Sequence, residues 1–91
     1  GKISLVGAYL VNASFAKSKL PNANFTLSYL SGAVFMAADL SGAVFHLTSL
    51  RNADFTFAVF TDAEFTFSDL RGSNIADYQL RQANALTMTV L

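Results

Sequence analysis

Apolar residues recur at every fifth position of this chain, without a skip, from Leu5 to Leu80, and each is Leu, Phe or Ile. Two positions before each of them, from Ala8 to Ser73, stands only Ala, Ser or Thr. A period of five fits neither the 3.6 of a helix nor the 2 of a flat strand. The large and the small residue of a unit point the same way on a short extended segment, where side chains alternate. The remaining residues point outward or turn a corner. Such a unit cannot bury its apolar face alone, so successive units must turn and stack as a solenoid.

The corners carry their own chemistry. After Leu10, Leu20, Leu30, Leu40, Leu50, Phe60 and Leu70, the second residue is Asn12, Asn22, Gly32, Gly42, Asn52, Asp62 and Gly72. These residue types tolerate the positive φ required at the third position of a type II turn. Pro21 stands at the second position of one such turn, where its fixed φ fits. After Phe15, Phe25, Phe35, Phe45, Phe55 and Phe65 the matching residues are Lys17, Leu27, Ala37, Leu47, Phe57 and Phe67. None of these favours positive φ. The sequence therefore predicts two corner types in alternation and a true period of ten, with five nested inside it.

At this point the residues carry a resemblance. Ala23-Asn24-Phe25, Ala53-Asp54-Phe55, Ala63-Glu64-Phe65 and Ala83-Asn84 resemble the repeating core of pentapeptide-repeat proteins. Ser31-Gly32-Ala33-Val34-Phe35 and Ser41-Gly42-Ala43-Val44-Phe45 look like the same unit with a Ser-Gly turn. The resemblance covers roughly residues 3–85. It implies an all-β fold, a right-handed quadrilateral parallel β-helix with about 4.5 coils of 20 residues and a length of about 20 Å. It also implies interior ladders such as Phe25–Phe45–Phe65 and Phe15–Phe35–Phe55, with Ala and Ser filling the gaps.

The whole chain, residues 1–91, is expected to form one domain, with regular repeats over about 3–76 and a cap or docking segment over about 77–91. In that segment Tyr78 and Met88 fall in slots that elsewhere hold Ala or Ser, and Ala85 replaces a large residue. A short helix over residues 77–86 fits Gln79, Leu80, Arg81 and Gln82, which are good helix formers.

Composition narrows the function classes. The 91 residues include no cysteine, so there is no disulfide framework or thiolate metal site. The formal net charge is zero, which argues against nucleic acid as a partner, since phosphate neutralisation needs a basic surface. The charge is nevertheless graded: residues 1–50 hold Lys2, Lys17 and Lys19 against Asp39, while residues 51–91 hold three arginines against five acids. No run approaches the roughly 18 apolar residues of a membrane span, and no membrane association is expected. The start lacks the layout of a secretory signal and reads as a domain boundary, with the cytoplasm as the default compartment.

Catalysis has little to stand on. His46 is the single histidine, and no nucleophile elbow, P-loop or dinucleotide fingerprint is present. No enzyme activity, cofactor or metal is expected. His46 should point outward near Thr26 and Thr66, within reach of Glu64. The outward threonines Thr26, Thr56, Thr61 and Thr66 fall on different faces, so they make no flat ice-binding array. More telling are Leu27, Leu47 and Phe67, which a 20-residue coil places one above another on an outer corner, with Phe57 on the opposite corner above Ala37. Such a row is either a partner surface or a local shield over the backbone of the tighter corners.

The expected function is a non-catalytic structural or protein-interaction module with a protein partner bound through Leu27, Leu47, Phe67, Phe57 and His46. The alternative is a DNA-mimicking modulator of a type II topoisomerase. It is implied by the resemblance to family members that protect gyrase from quinolones. Zero net charge and the lack of a projecting loop set this chain apart from those members. The strand edges at the ends of a β-helix must be capped or paired. A two-fold homodimer through the C-terminal end is expected to use Tyr78, Leu86, Met88, Val90 and Leu91.

Overall fold

The computed structural model describes residues 2–84 and 89–91. Its backbone pairs in parallel at single positions 20 residues apart, among them Ser4 with Asn24, Tyr9 with Tyr29, Ser14 with Val34 and Lys19 with Asp39. Bridge positions recur at five-residue steps, so each turn of the chain has four sides. A side of five residues with a corner in it has room for one bridge only, and the fold is a β-helix solenoid without long strands. Its extents are 25 × 19 × 19 Å.

The interior follows the sequence pattern. Phe25, Phe35, Phe45, Phe55, Phe60 and Phe65 are fully buried, as are Leu30, Leu40 and Leu50. Phe25, Phe45 and Phe65 stack at centroid spacings of 5.0 and 5.1 Å with planes within 5° of parallel. Phe15, Phe35 and Phe55 form the facing ladder at 5.1 and 5.5 Å. Rings of the two ladders meet edge to face, as in Phe35 with Phe45 at 88°. The spacing is that of neighbouring parallel strands, so the coil rise sets the offset stacking that aromatic rings prefer. Buried hydroxyls line one wall and are satisfied by carbonyls of the Phe25 ladder: Ser28 and Thr48 both donate to Phe25 O, at 2.6 and 2.8 Å, and Ser68 donates to Phe45 O.

The corners correct the expected alternation. Lys17, Leu27, Ala37, Leu47, Phe57 and Phe67 have φ between 53 and 62°, in the same left-handed region as Asn12, Asn22, Asn52 and Asp62 at 60 to 62°. All corners thus share one conformation, and the backbone period is five. For a side chain with a β-carbon this costs about 1–2 kcal/mol. The ladder imposes it: Leu27 N donates to His46 O on the next coil at 2.9 Å, and Ser28 N closes the turn onto Phe25 O at 3.0 Å. Lys17 and Ala37 sit between the same two bonds, and Leu47 N donates likewise to Thr66 O.

The glycines answer a further demand. A β-carbon on Gly32 would lie 2.1 Å from Asn12 Oδ1, and one on Gly42 would lie 2.2 Å from Asn22 Oδ1. The asparagine of one coil leans over the corner of the next, where the absence of a β-carbon leaves room for its carboxamide. Residues just before interior positions also tie the corners: Asn24, Asp39 and Asp54 each accept the N–H two residues on at 3.0 Å, and Asp69 does so at 3.1 Å.

These carboxylates couple stability to acid. The Ser41 side chain and N–H hold Asp39 below its ordinary pKa, and those of Thr56 do the same for Asp54. Hydrogen bonding from the Arg71 side chain takes Asp69 to about 2. A depressed folded-state pKa stabilises above the unfolded value, and that contribution is lost as pH falls through the folded value. The melting temperature is expected to fall as pH drops from about 4 to about 2, and Asp54→Asn, which keeps the acceptor without the charge, should reduce that fall. A melting temperature flat over that range would reject the assignment.

The C-terminal end departs from the repeat. Helix α1 (Asp77–Gln82) covers six of the ten residues expected to be helical, with Asp77 in its first turn and Arg81 in its last, as the helix dipole favours. Ala76 N donates to Gln79 Oε1 at 2.8 Å, tying the helix start to its third residue. Ile75, Leu80 and Ala83 pack against the core. Tyr78 does not take the small slot assigned to it: it is exposed, and Gln79 is buried in its place. The tighter rise and 3.6-residue turn of a helix bring the next residue inward. The pairing offset, 20 at Ser49 with Asp69, becomes 21 at Asp69 with Val90. As a result Thr89 reaches the hydroxyl column and donates to Phe65 O.

Candidate functional site

No cavity opens among the described residues, and no group of metal-ligating side chains forms. Any site is therefore a surface. Leu27, Leu47 and Phe67 lie on one outer corner at successive 20-residue steps, and their exposures of 52, 55 and 53 % leave half of each side chain in solvent. The left-handed corner turns each side chain away from the interior, and ladder bonds fix that direction at Leu27 and Leu47. Phe57, 75 % exposed, stands half a coil away above Ala37, whose N–H donates to Thr56 O at 2.8 Å, and so lies apart from the row.

His46 flanks the row. Its Nε2 lies 3.0 Å from Glu64 Oε2, and both side chains are about one third exposed at 38 and 36 %. The adjacent backbone links run Leu27 N to His46 O and Leu47 N to Thr66 O, so the expected stacking of His46 between Thr26 and Thr66 is present. The row thus has a polar pair along one edge. Tyr9 and Tyr29 form a second exposed aromatic column, with centroids 5.6 Å apart.

At the C-terminal end Tyr78, Val90 and Leu91 are exposed. Leu86 and Met88 lie outside the described residues. Sequence reasoning missed the groups that close this end. Asn74 Oδ1 accepts Phe55 N at 2.6 Å and Gln82 Oε1 accepts Phe60 N at 3.0 Å. Gln79 Nε2 donates to Phe55 O at 2.8 Å and to Ala58 O at 3.0 Å. One coil lower, the equivalent Phe35 N and Leu40 N donate to backbone carbonyls, those of Asp54 and Val59. Three side-chain amides thus stand in for the backbone of a further coil, because a carboxamide carries the same donor and acceptor as a peptide group. Three amides in nine residues where the repeat falters were the available signal.

Comparison with known proteins agrees with this geometry. The pentapeptide repeat region matches residues 7–85. A pentapeptide repeat protein from the Arabidopsis thaliana thylakoid lumen superposes with a TM-score of 0.78 at 31 % identity, over 96 % of this chain and 57 % of that one. Rfr23, from the cyanobacterium Cyanothece 51142, superposes with a TM-score of 0.59 at 26 % identity, over 96 % of this chain and 63 % of that one. The plasmid-mediated fluoroquinolone resistance protein QnrB1 shares the fold at 20 % identity, with a TM-score of 0.59 over 97 % of this chain and 53 % of that one. The chain spans little more than half the length of these solved proteins. No curated protein was matched. The uninterrupted five-residue register, the four-sided parallel ladder and the match over residues 7–85 together show that this chain belongs to the pentapeptide-repeat family.

Proposed function

We propose that this chain is a non-catalytic protein-interaction module and that its contact surface is the Leu27–Leu47–Phe67 row, flanked by His46. The observation that carries this reading is where the apolar side chains stand. Glycine, asparagine and aspartate fill the alternate corners, where positive φ is cheap, whereas Leu27, Leu47 and Phe67 meet the same φ without a polar group that bonds locally, at about 1–2 kcal/mol each. Shielding of the corner does not require them. Lys17 and Ala37 occupy the equivalent opposite corner at φ 62 and 56° with no large apolar group. A locally unfavourable residue retained at the surface points to a role outside the fold, and contiguous exposed apolar surface is a mark of interaction sites.

The finer architecture suits this role. In a right-handed rod of about 4.5 coils the row runs straight along the axis with a step of about 4.8 Å, convex and rigid, and fits a partner with an apolar groove. Tyr78, Val90 and Leu91 are the second surface, at which a two-fold homodimer would meet through side chains, since the edges at Phe55 and Phe60 are filled by Gln79 and Gln82. A topoisomerase-directed DNA mimic draws on likeness in fold alone, and we do not adopt it. The cytoplasm remains the proposed compartment, and no helix among the described residues is long and apolar enough to cross a membrane.

The test replaces the row with Leu27→Asn, Leu47→Asn and Phe67→Asn together. Asparagine tolerates positive φ, so the triple variant is expected to melt at or above the parent temperature. In a pull-down it should lose partners of the parent by about tenfold or more, which corresponds to about 1.4 kcal/mol of lost contact. Partners retained by a folded triple variant would show that the row is not the interface.

A further inference from the structure

The corner opposite the Leu27–Leu47–Phe67 row has a composition of its own. At successive 20-residue steps it carries Lys17, Ala37, Phe57 and Asp77, which are a cation, a small residue, a large ring and an anion, all exposed. The ladder stacks the first three, since Lys17 N donates to Met36 O and Ala37 N to Thr56 O, both at 2.8 Å. Asp77 opens α1 on the coil above. Asn74 N donates to Ala53 O and Gln79 Nε2 to Phe55 O and Ala58 O, so this stretch lies over the Phe57 corner. Phe57 is 75 % exposed and holds a φ of 59°, so the fold neither buries the ring nor favours it at that corner. Met36 and Val59, both exposed, flank the corner, and Ala37 leaves a step in it one coil below the Phe57 ring.

We infer that this corner is a contact between two copies of the chain, which lie side by side and antiparallel about a two-fold axis midway between Ala37 and Phe57. In a two-fold contact, if one residue meets a second on the other copy, the second meets the first in return. The corner is its own complement under that operation. Phe57 falls on the partner's Ala37, and Ala37 receives the partner's Phe57. Lys17 and Asp77, each one coil further from the axis, meet as two pairs of opposite charge. The two Phe57 rings pass one coil rise apart, about 4.8 Å, close to the 5.0 Å of the interior stacks. An unrelated partner needs no such reversal of size and charge about one point, so the pattern selects a second copy. The Leu27–Leu47–Phe67 row has no small seat for its large residues, and the other two corners carry no apolar side chain to bury. The long side of the rod measures 25 × 19 Å, roughly 475 Å² per copy, against the ~800 Å² per partner of a stable pair. The dimer is therefore weak, with a dissociation constant on the order of 100 μM.

NMR dilution and sedimentation equilibrium test this contact. Diluting the parent chain from about 1 mM to about 0.05 mM, either side of that constant, should shift the amide signals of Met36, Ala37 and Phe57 and leave those of Leu27 and Leu47 in place. In sedimentation, Phe57→Asn, Lys17→Asp and Asp77→Lys should each weaken dimerisation by about tenfold or more. Lys17→Asp and Asp77→Lys combined in one chain should restore it to within about threefold of the parent, because each charge pair is then reversed and not broken. Lys17 and Phe57 stand at positive φ, which aspartate and asparagine tolerate, so these variants should keep the parent melting temperature. A parent chain that stays monomeric at about 1 mM would overturn the inference. So would a folded double charge reversal that associates no better than the single changes. Dimerisation lost with Val90→Ser and Leu91→Ser but kept with Phe57→Asn would assign the contact to the C-terminal end and overturn it too. None of these readings touches the Leu27–Leu47–Phe67 row, so failure here leaves the proposed interaction surface standing.

Discussion

Replacing Phe45 with alanine is expected to remove about 3–5 kcal/mol of stability, the usual range for emptying a buried phenylalanine site. The ring has no solvent exposure and is stacked on both faces, by Phe25 at 5.0 Å and Phe65 at 5.1 Å, with Phe35 and Phe60 against its edges. Nothing can collapse into the gap cheaply, because the ladder bonds above and below hold the coils apart. For a domain of this size each kcal/mol shifts the melting temperature by roughly 4–8 °C, so a fall of about 15 °C or more is expected in a thermal melt. Phe15→Ala provides the comparison. Phe15 is stacked on one face only, by Phe35, meets Phe25 edge to face and is only partly buried, so its loss should cost clearly less. Equal effects at the two positions would contradict the ladder as the source of the cost.

The second large effect is expected at Gln79. Gln79→Leu keeps the volume but leaves the buried carbonyl of Ala58 without a donor and Ala76 N without its acceptor, while Phe55 O keeps only the turn bond from Ala58 N. At about 1–3 kcal/mol for an unsatisfied buried group, the variant should lose about 2–4 kcal/mol in urea unfolding. Its neighbour is the control: Tyr78 is exposed, and Tyr78→Ala should stay within about 0.5 kcal/mol of the parent. If Tyr78→Ala is the more damaging change, the helix register is wrong.

Both predictions start from one regularity but reach it differently. The burial of Phe45 could be read from the chain, because an unbroken run of large apolar residues at one spacing leaves them a single common side to occupy. The role of Gln79 could not. The expected slot was Tyr78, one residue earlier, because extended spacing was carried into a segment that turns helical. The Leu27–Leu47–Phe67 row was legible as a column once the coil length was known, and His46 beside Glu64 followed from the same arithmetic. The strain at that corner was not, since no local preference of Leu or Phe suggests a φ of 53 to 62°.

The division between the two levels follows the range of the forces involved. Residue type and spacing settled which side chains face inward, the length of a coil, where turns fall and where the repeat ends, because these depend on hydrophobic burial and on turn preferences within a few residues. The three-dimensional stacking settled the rest. Backbone bonds to residues on the next coil hold the corners from Gly7 to Asn52 in one left-handed shape, whatever the side chain. Asn12 favours glycine at position 32 from 20 residues away. Three side-chain amides close one end where the ladder runs out. Each of these is a contact between coils, set by neighbours distant along the chain, and so it exists only once the rod is built.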